Sequence, residues 1–72
     1  MISPERLFRE RIKAGLSSAV AAEKAGISRQ HLSAIEAGRA IPSPEVLHQI
    51  AAAYGCEVVA LMPDETASEA VA

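Results

Sequence analysis

The side chains best suited to chemistry lie between Ser28 and Arg39. Arg29 and Gln30 set a guanidinium beside a carboxamide, and Ser33 and Ala34 follow one helical turn later. Leu32 and Ile35 are three apart, a spacing that turns both toward the same side of a helix. With those two facing inward, Arg29, Gln30, Ser33 and Ala34 form its outer side. A short polar helix face of this kind fits the major groove of duplex DNA. Bond-breaking chemistry has no comparable support. Two histidines and one cysteine form no nucleophile–base set, and no glycine loop is arranged to cradle a phosphate. His31 and His48, with Glu36 or Glu45, fall on separate predicted helices without ligand spacing. No enzyme activity, metal or cofactor is expected.

Four segments must hold that face in place. Ser3-Pro4 is a helix start, with an oxygen acceptor at the N-cap and proline in the first turn. The helix it opens runs over about 4–14, takes an apolar side from Leu7, Phe8 and Ile12, and ends at Gly15. Ser17 caps a second helix over 18–25, which Gly26 stops. Ser28 caps a third over 29–36, closed by Gly38. Ser43-Pro44 repeats the first start and opens a fourth over 44–54, with Val46, Leu47, Ile50 and Ala53 or Tyr54 at helical spacing and Gly55 at its end. The second and third helices form a helix-turn-helix: Ala22 is small where the helices touch, Gly26 accepts a left-handed backbone, and Ile27 tucks the turn inward.

The segment 56–62 is ambiguous. Its core, Glu57-Val58-Val59-Ala60-Leu61, can be a fifth helix or a short strand. A strand is preferred, because no capping residue stands at its start and two β-branched residues lie side by side. The fold class is therefore all-α: four to five short helices in a compact bundle, with a short C-terminal strand as the alternative at 56–62. The domain covers 1–62, and 63–72 form an acidic tail.

Composition fits this picture. Seventy-two residues make one small domain, marginally stable alone. Half of them are hydrophobic, but many are alanine, which favours helix and fills little volume. Dimerisation is an expected source of further burial. Cys56 has no partner and is expected as a small buried hydrophobe. No apolar run reaches the length of a membrane span, and Met1–Glu5 lacks the regions of a signal peptide, so a cytoplasmic protein is expected.

The net charge of −2 is unevenly distributed. All seven basic residues fall in 1–39 against four acids, leaving +3, whereas 40–72 hold five acids and no base, leaving −5. A basic half and an acidic half are the footprint of a phosphate-facing end and an end turned away.

Leu16-Ser17 through Glu23-Lys24, Gly26-Ile27-Ser28-Arg29, Ile35-Glu36-Ala37-Gly38-Arg39 and Pro42-Ser43 together resemble the lambda-repressor-like DNA-binding domain of the XRE/Cro family. The likeness covers roughly residues 5–62. It implies a double-stranded DNA partner, read by a homodimeric transcriptional regulator. Arg29 and Gln30 fall at the family's groove-reading positions, where Arg pairs with guanine O6 and N7 and Gln with adenine N6 and N7. Ser33 and Ala34 come second, Ala34 offering at most a methyl contact. Ser18, Ser28, His31 and Arg39 fall at phosphate-facing positions, with His31 equally readable as a solvated surface residue. Arg11 and Glu36 match a structural ion pair between the first and third helices.

The departures from the pattern concern grip and packing. Ser18 replaces the usual glutamine and reaches less far toward a phosphate. Ala21 and Ala25 stand where leucine is common, and Val20 where a charge is common. The likeness extends to antitoxins of the family, in which a strand after the fourth helix pairs with its two-fold mate. That comparison adds a toxin protein as a second partner and places Val58, Val59 and Leu61 at a dimer contact.

Overall fold

A computed structural model describes residues 2–63. It contains four α-helices, α1 (Pro4–Lys13), α2 (Ser18–Ala25), α3 (Arg29–Glu36) and α4 (Pro44–Tyr54), followed by a 3₁₀ helix at Val58–Leu61. The expected acidic tail lies outside the described residues from Asp64 onward.

The same punctuation bounds every α-helix. The hydroxyl oxygens of Ser3, Ser17, Ser28 and Ser43 accept the backbone N–H of Arg6, Val20, His31 and Val46 at 3.3, 3.2, 3.0 and 3.2 Å. Each bond satisfies one of the donors that a helix start leaves open. At the other end, the residue after each closing glycine donates back to a carbonyl five residues earlier. These are Leu16 to Arg11, Ile27 to Ala22, Arg39 to Ala34 and Cys56 to Ala51, at 3.2, 3.0, 2.8 and 3.0 Å. Helices of eight to eleven residues are too short to persist alone in water, so these caps define their ends while packing holds them.

The core is built from Leu7, Leu32, Ile35, Ile50 and Leu61, all fully buried. Helix α2 lies against α3 and α4, and α1 lies against α3 and the 3₁₀ helix. Ala21, Ala22 and Ala25 are buried on α2; their small side chains bring its backbone close to its neighbours.

Two expectations are corrected. The segment at 56–62 is not a strand. Ala60 N–H donates to Glu57 C=O at 2.9 Å and Met62 N–H to Val59 C=O at 3.2 Å, the three-residue closure of a 3₁₀ helix. Its hydrogen bonding is turned inward, because Leu61 enters the core and its carbonyl accepts Ser3 N–H at 2.8 Å. Burying Leu61 and tying the chain to the start of α1 outweighs the extended preference of two valines. Leu61, wholly buried within the chain, has no surface to give the expected dimer contact. The apolar side of α1 is also narrower than expected. Leu7 is buried, but Phe8 and Ile12 are 50% and 55% exposed. Successive helix residues point about 100° apart, and α3 and the 3₁₀ helix cover only the Leu7 side.

Val20 is exposed, and Cys56 is half-buried against the core, not within it. Burial pushes the Cys56 thiol pKa up. Among the described residues, no helix is long and apolar enough to cross a membrane.

Candidate nucleic-acid interface

The candidate surface is the outer face of α3 with the segments at its two ends. Gly26 makes the turn between α2 and α3. Its φ is +73°, a left-handed conformation that costs an L-residue roughly 1–2 kcal/mol. Among the described residues, the only atom that an added Cβ would meet is Gln49 Oε1, at 4.0 Å. Glycine is thus required there for its backbone, not for space. Ile27 follows and packs partly buried against the core, which fixes where α3 begins.

Leu32 and Ile35 hold α3 from beneath with no exposed surface. The opposite side carries exposed Arg29, Gln30 and Ser33, with Ala34 half-buried. Among the described residues, neither Arg29 nor Arg39 has an acidic partner, so both guanidinium groups keep their donors for a ligand. Ser28 uses its oxygen to cap α3, which leaves its own O–H able to donate to a phosphate. His31 and Ser18 are half-buried, and Arg39 is exposed just past the end of α3. The loop carrying Arg39 is hooked onto that helix, because Ala34 C=O accepts both Arg39 N–H at 2.8 Å and Ala40 N–H at 3.2 Å.

The far end of α3 is clamped. Arg11 Nε donates to Glu36 Oε2 at 2.9 Å and Arg11 Nη2 to Glu36 Oε1 at 3.3 Å. Arg11 Nη1 donates to Leu16 C=O at 2.9 Å. Both charged side chains are largely enclosed, at 11% and 12% exposure. A carboxylate at a helix C-terminus opposes the helix dipole and calls for such a partner. Arg11 also lies over the Phe8 ring, 5.2 Å from its centroid, within cation–π range.

Sequence reasoning missed the third member of this network. Tyr54 reaches back from α4, its hydroxyl donating to Glu36 Oε2 at 3.4 Å. Its position in the apolar run of α4 marked it only as core. Burial first, and then the negative charge of Glu36, hold its phenol well above the usual tyrosine range; Arg11 opposes the shift. Beside the clamp, Phe8, Ile12 and Ala37 border an open groove of about 790 Å³ that reaches Ser33.

A protein-family model described as Helix-turn-helix matches residues 6–61, most of the chain. The chain belongs to the XRE/lambda-repressor-like helix-turn-helix family. No curated protein matches it. Membership of this family makes it a DNA-binding transcription regulator, and α3 is the second helix of its helix-turn-helix. The family's domain is regulatory and not typically enzymatic. Among the described residues, no group of histidine, cysteine or acidic side chains is placed to hold a metal ion.

Proposed function

We propose that this helix-turn-helix regulator is a dimeric repressor that reads a palindromic operator through the major groove. The observation carrying the proposal is the recognition helix, capped by Ser28 and seated on Leu32 and Ile35, with Arg29 and Gln30 exposed. Arg29 reads a guanine and Gln30 an adenine, each through two hydrogen bonds to one base edge. Ser33 and Ala34 contact the next step of the groove. Ser18, Ser28, His31 and Arg39 hold the flanking phosphates and set the register without reading sequence.

One recognition helix reads only a half-site, so affinity requires a second copy about one helical turn away. The 3₁₀ segment supplies the contact through Val58 and Val59, the latter 43% exposed. With few basic side chains and an acidic C-terminal half, binding is modest per protomer and falls steeply with salt.

The antitoxin reading depended on a C-terminal strand pairing across a two-fold axis. With Val58–Leu61 in a 3₁₀ helix, that likeness is weakened, and repression without a toxin partner is the better supported role.

Selection of bound sequences from a pool of random duplex DNA tests the proposal. The expected product is a site of two inverted half-sites centred about one turn apart, each containing a guanine and an adenine. Enrichment of no sequence, or of a single half-site with only monomer in light scattering, would overturn it.

A further inference from the structure

We propose that Tyr54 is a positioning residue for DNA reading: through Glu36 it fixes the angle of the recognition helix against α4. This inference rests on the groove-reading role proposed for α3.

Tyr54 is the only tyrosine in the chain and is 7% exposed. Its ring belongs to the core, a task that phenylalanine would perform without a polar atom to accommodate. The hydroxyl is aimed at one atom, Glu36 Oε2, which already accepts Arg11 Nε. Glu36 is the last residue of α3. Its carboxylate is therefore held from α1 by Arg11 and from α4 by Tyr54, while Arg11 is itself tied to the α1–α2 connection at Leu16 C=O. The end of α3 is thus tied by hydrogen bonds to two other helices, α1 and α4.

Fixing that angle affects base reading more than phosphate binding. Bidentate bonds to a base edge require placement within about 0.5 Å and 10–20°. Charge contacts to the phosphate backbone tolerate larger displacements and carry most non-specific affinity. The hydroxyl stays protonated through the ordinary pH range, because burial and Glu36 both favour its neutral form, so it serves as a donor throughout.

The test compares wild type, Tyr54→Phe, Glu36→Met and the double variant. Each is measured for affinity toward the selected operator and toward an unrelated duplex of equal length, with thermal unfolding in parallel. Tyr54→Phe removes one oxygen and keeps the packing. It is expected to lower operator affinity about fivefold, leave the unrelated duplex within about twofold, and unfold cooperatively. Glu36→Met, which keeps the side-chain length but has no oxygen to accept the hydroxyl, is expected to lower the operator preference further. Adding Tyr54→Phe to it should then have little additional effect.

An unchanged operator preference in Tyr54→Phe would overturn the proposal. So would an equal loss on both duplexes, the mark of a purely structural role. The same is true if Tyr54→Phe costs its full factor in the Glu36→Met background, where residue 36 has no oxygen to accept the hydroxyl, since the hydroxyl would then act elsewhere. If wild type itself prefers no duplex, the groove-reading role of α3 fails first, and the role of Tyr54 falls with it.

Discussion

Arg11 and Glu36 join α1 to the end of α3 through two hydrogen bonds, Nε to Oε2 at 2.9 Å and Nη2 to Oε1 at 3.3 Å. The two residues stand 25 apart in sequence. They set the far end of α3, while Gly26 and Ser28 set the near end.

Removing one partner of an enclosed ion pair strands the other charge, a loss of about 3–5 kcal/mol for fully buried pairs. Residual exposure of both side chains brings the expectation for Arg11→Ala to about 2–4 kcal/mol. Urea unfolding followed by circular dichroism measures it. Arg11→Lys should recover little of the loss, because an ammonium cannot supply the fork that also reaches Leu16 C=O. A destabilisation under about 0.5 kcal/mol in Arg11→Ala, the range of an exposed pair, would show that the pair is not a structural clamp.

At Gly26, alanine must adopt the same positive φ at a cost of about 1–2 kcal/mol. For a domain of this size that lowers the melting temperature by roughly 5–15 °C. No steric contribution is expected, since the nearest atom to the new Cβ is the tip of Gln49. Calorimetry of Gly26→Ala measures the shift, and an unchanged melting temperature would mean that the turn relaxes to another conformation.

Much of this architecture is legible in the sequence because the helix boundaries are written in single residues. Each helix opens on a serine and closes before a glycine, and these side chains act locally, without needing to know the fold. The Arg11–Glu36 pair is legible through family resemblance, since no local rule connects residues so far apart. Three features are not legible. The 3₁₀ helix at Val58–Leu61 depends on a distant event, Leu61 entering the core and its carbonyl meeting Ser3 N–H. Phe8 and Ile12 look like core because the helical pattern does not reveal which neighbours are missing. Tyr54 looks apolar in its run, and only the return of α4 against the end of α3 brings its hydroxyl to Glu36.

Tyr54 also gives a pH signature. In the unfolded chain its phenol loses its proton near about pH 10, whereas in the folded protein it holds the proton to a higher pH. Above about pH 10 the folded state therefore binds more protons at this group, and stability declines as pH rises. Below that pH its contribution is fully present. Ionisations common to wild type and Tyr54→Phe cancel in the comparison. Urea unfolding from pH 8 to 11 should show the stability of wild type relative to Tyr54→Phe falling above about pH 10. A difference independent of pH would mean that the phenol is not held neutral by its surroundings.

The most direct measurement is the affinity of wild type, Arg29→Ala, Gln30→Ala and Arg39→Ala for the selected operator and its single-base variants across a range of salt. Arg29→Ala and Gln30→Ala should each lose about 1–3 kcal/mol of discrimination, at one guanine and one adenine position respectively. Arg39→Ala should weaken all sequences alike and reduce the salt slope by about one. If Arg29→Ala and Gln30→Ala keep the wild-type preference at every base, α3 does not read sequence through these side chains, and the proposed recognition is wrong.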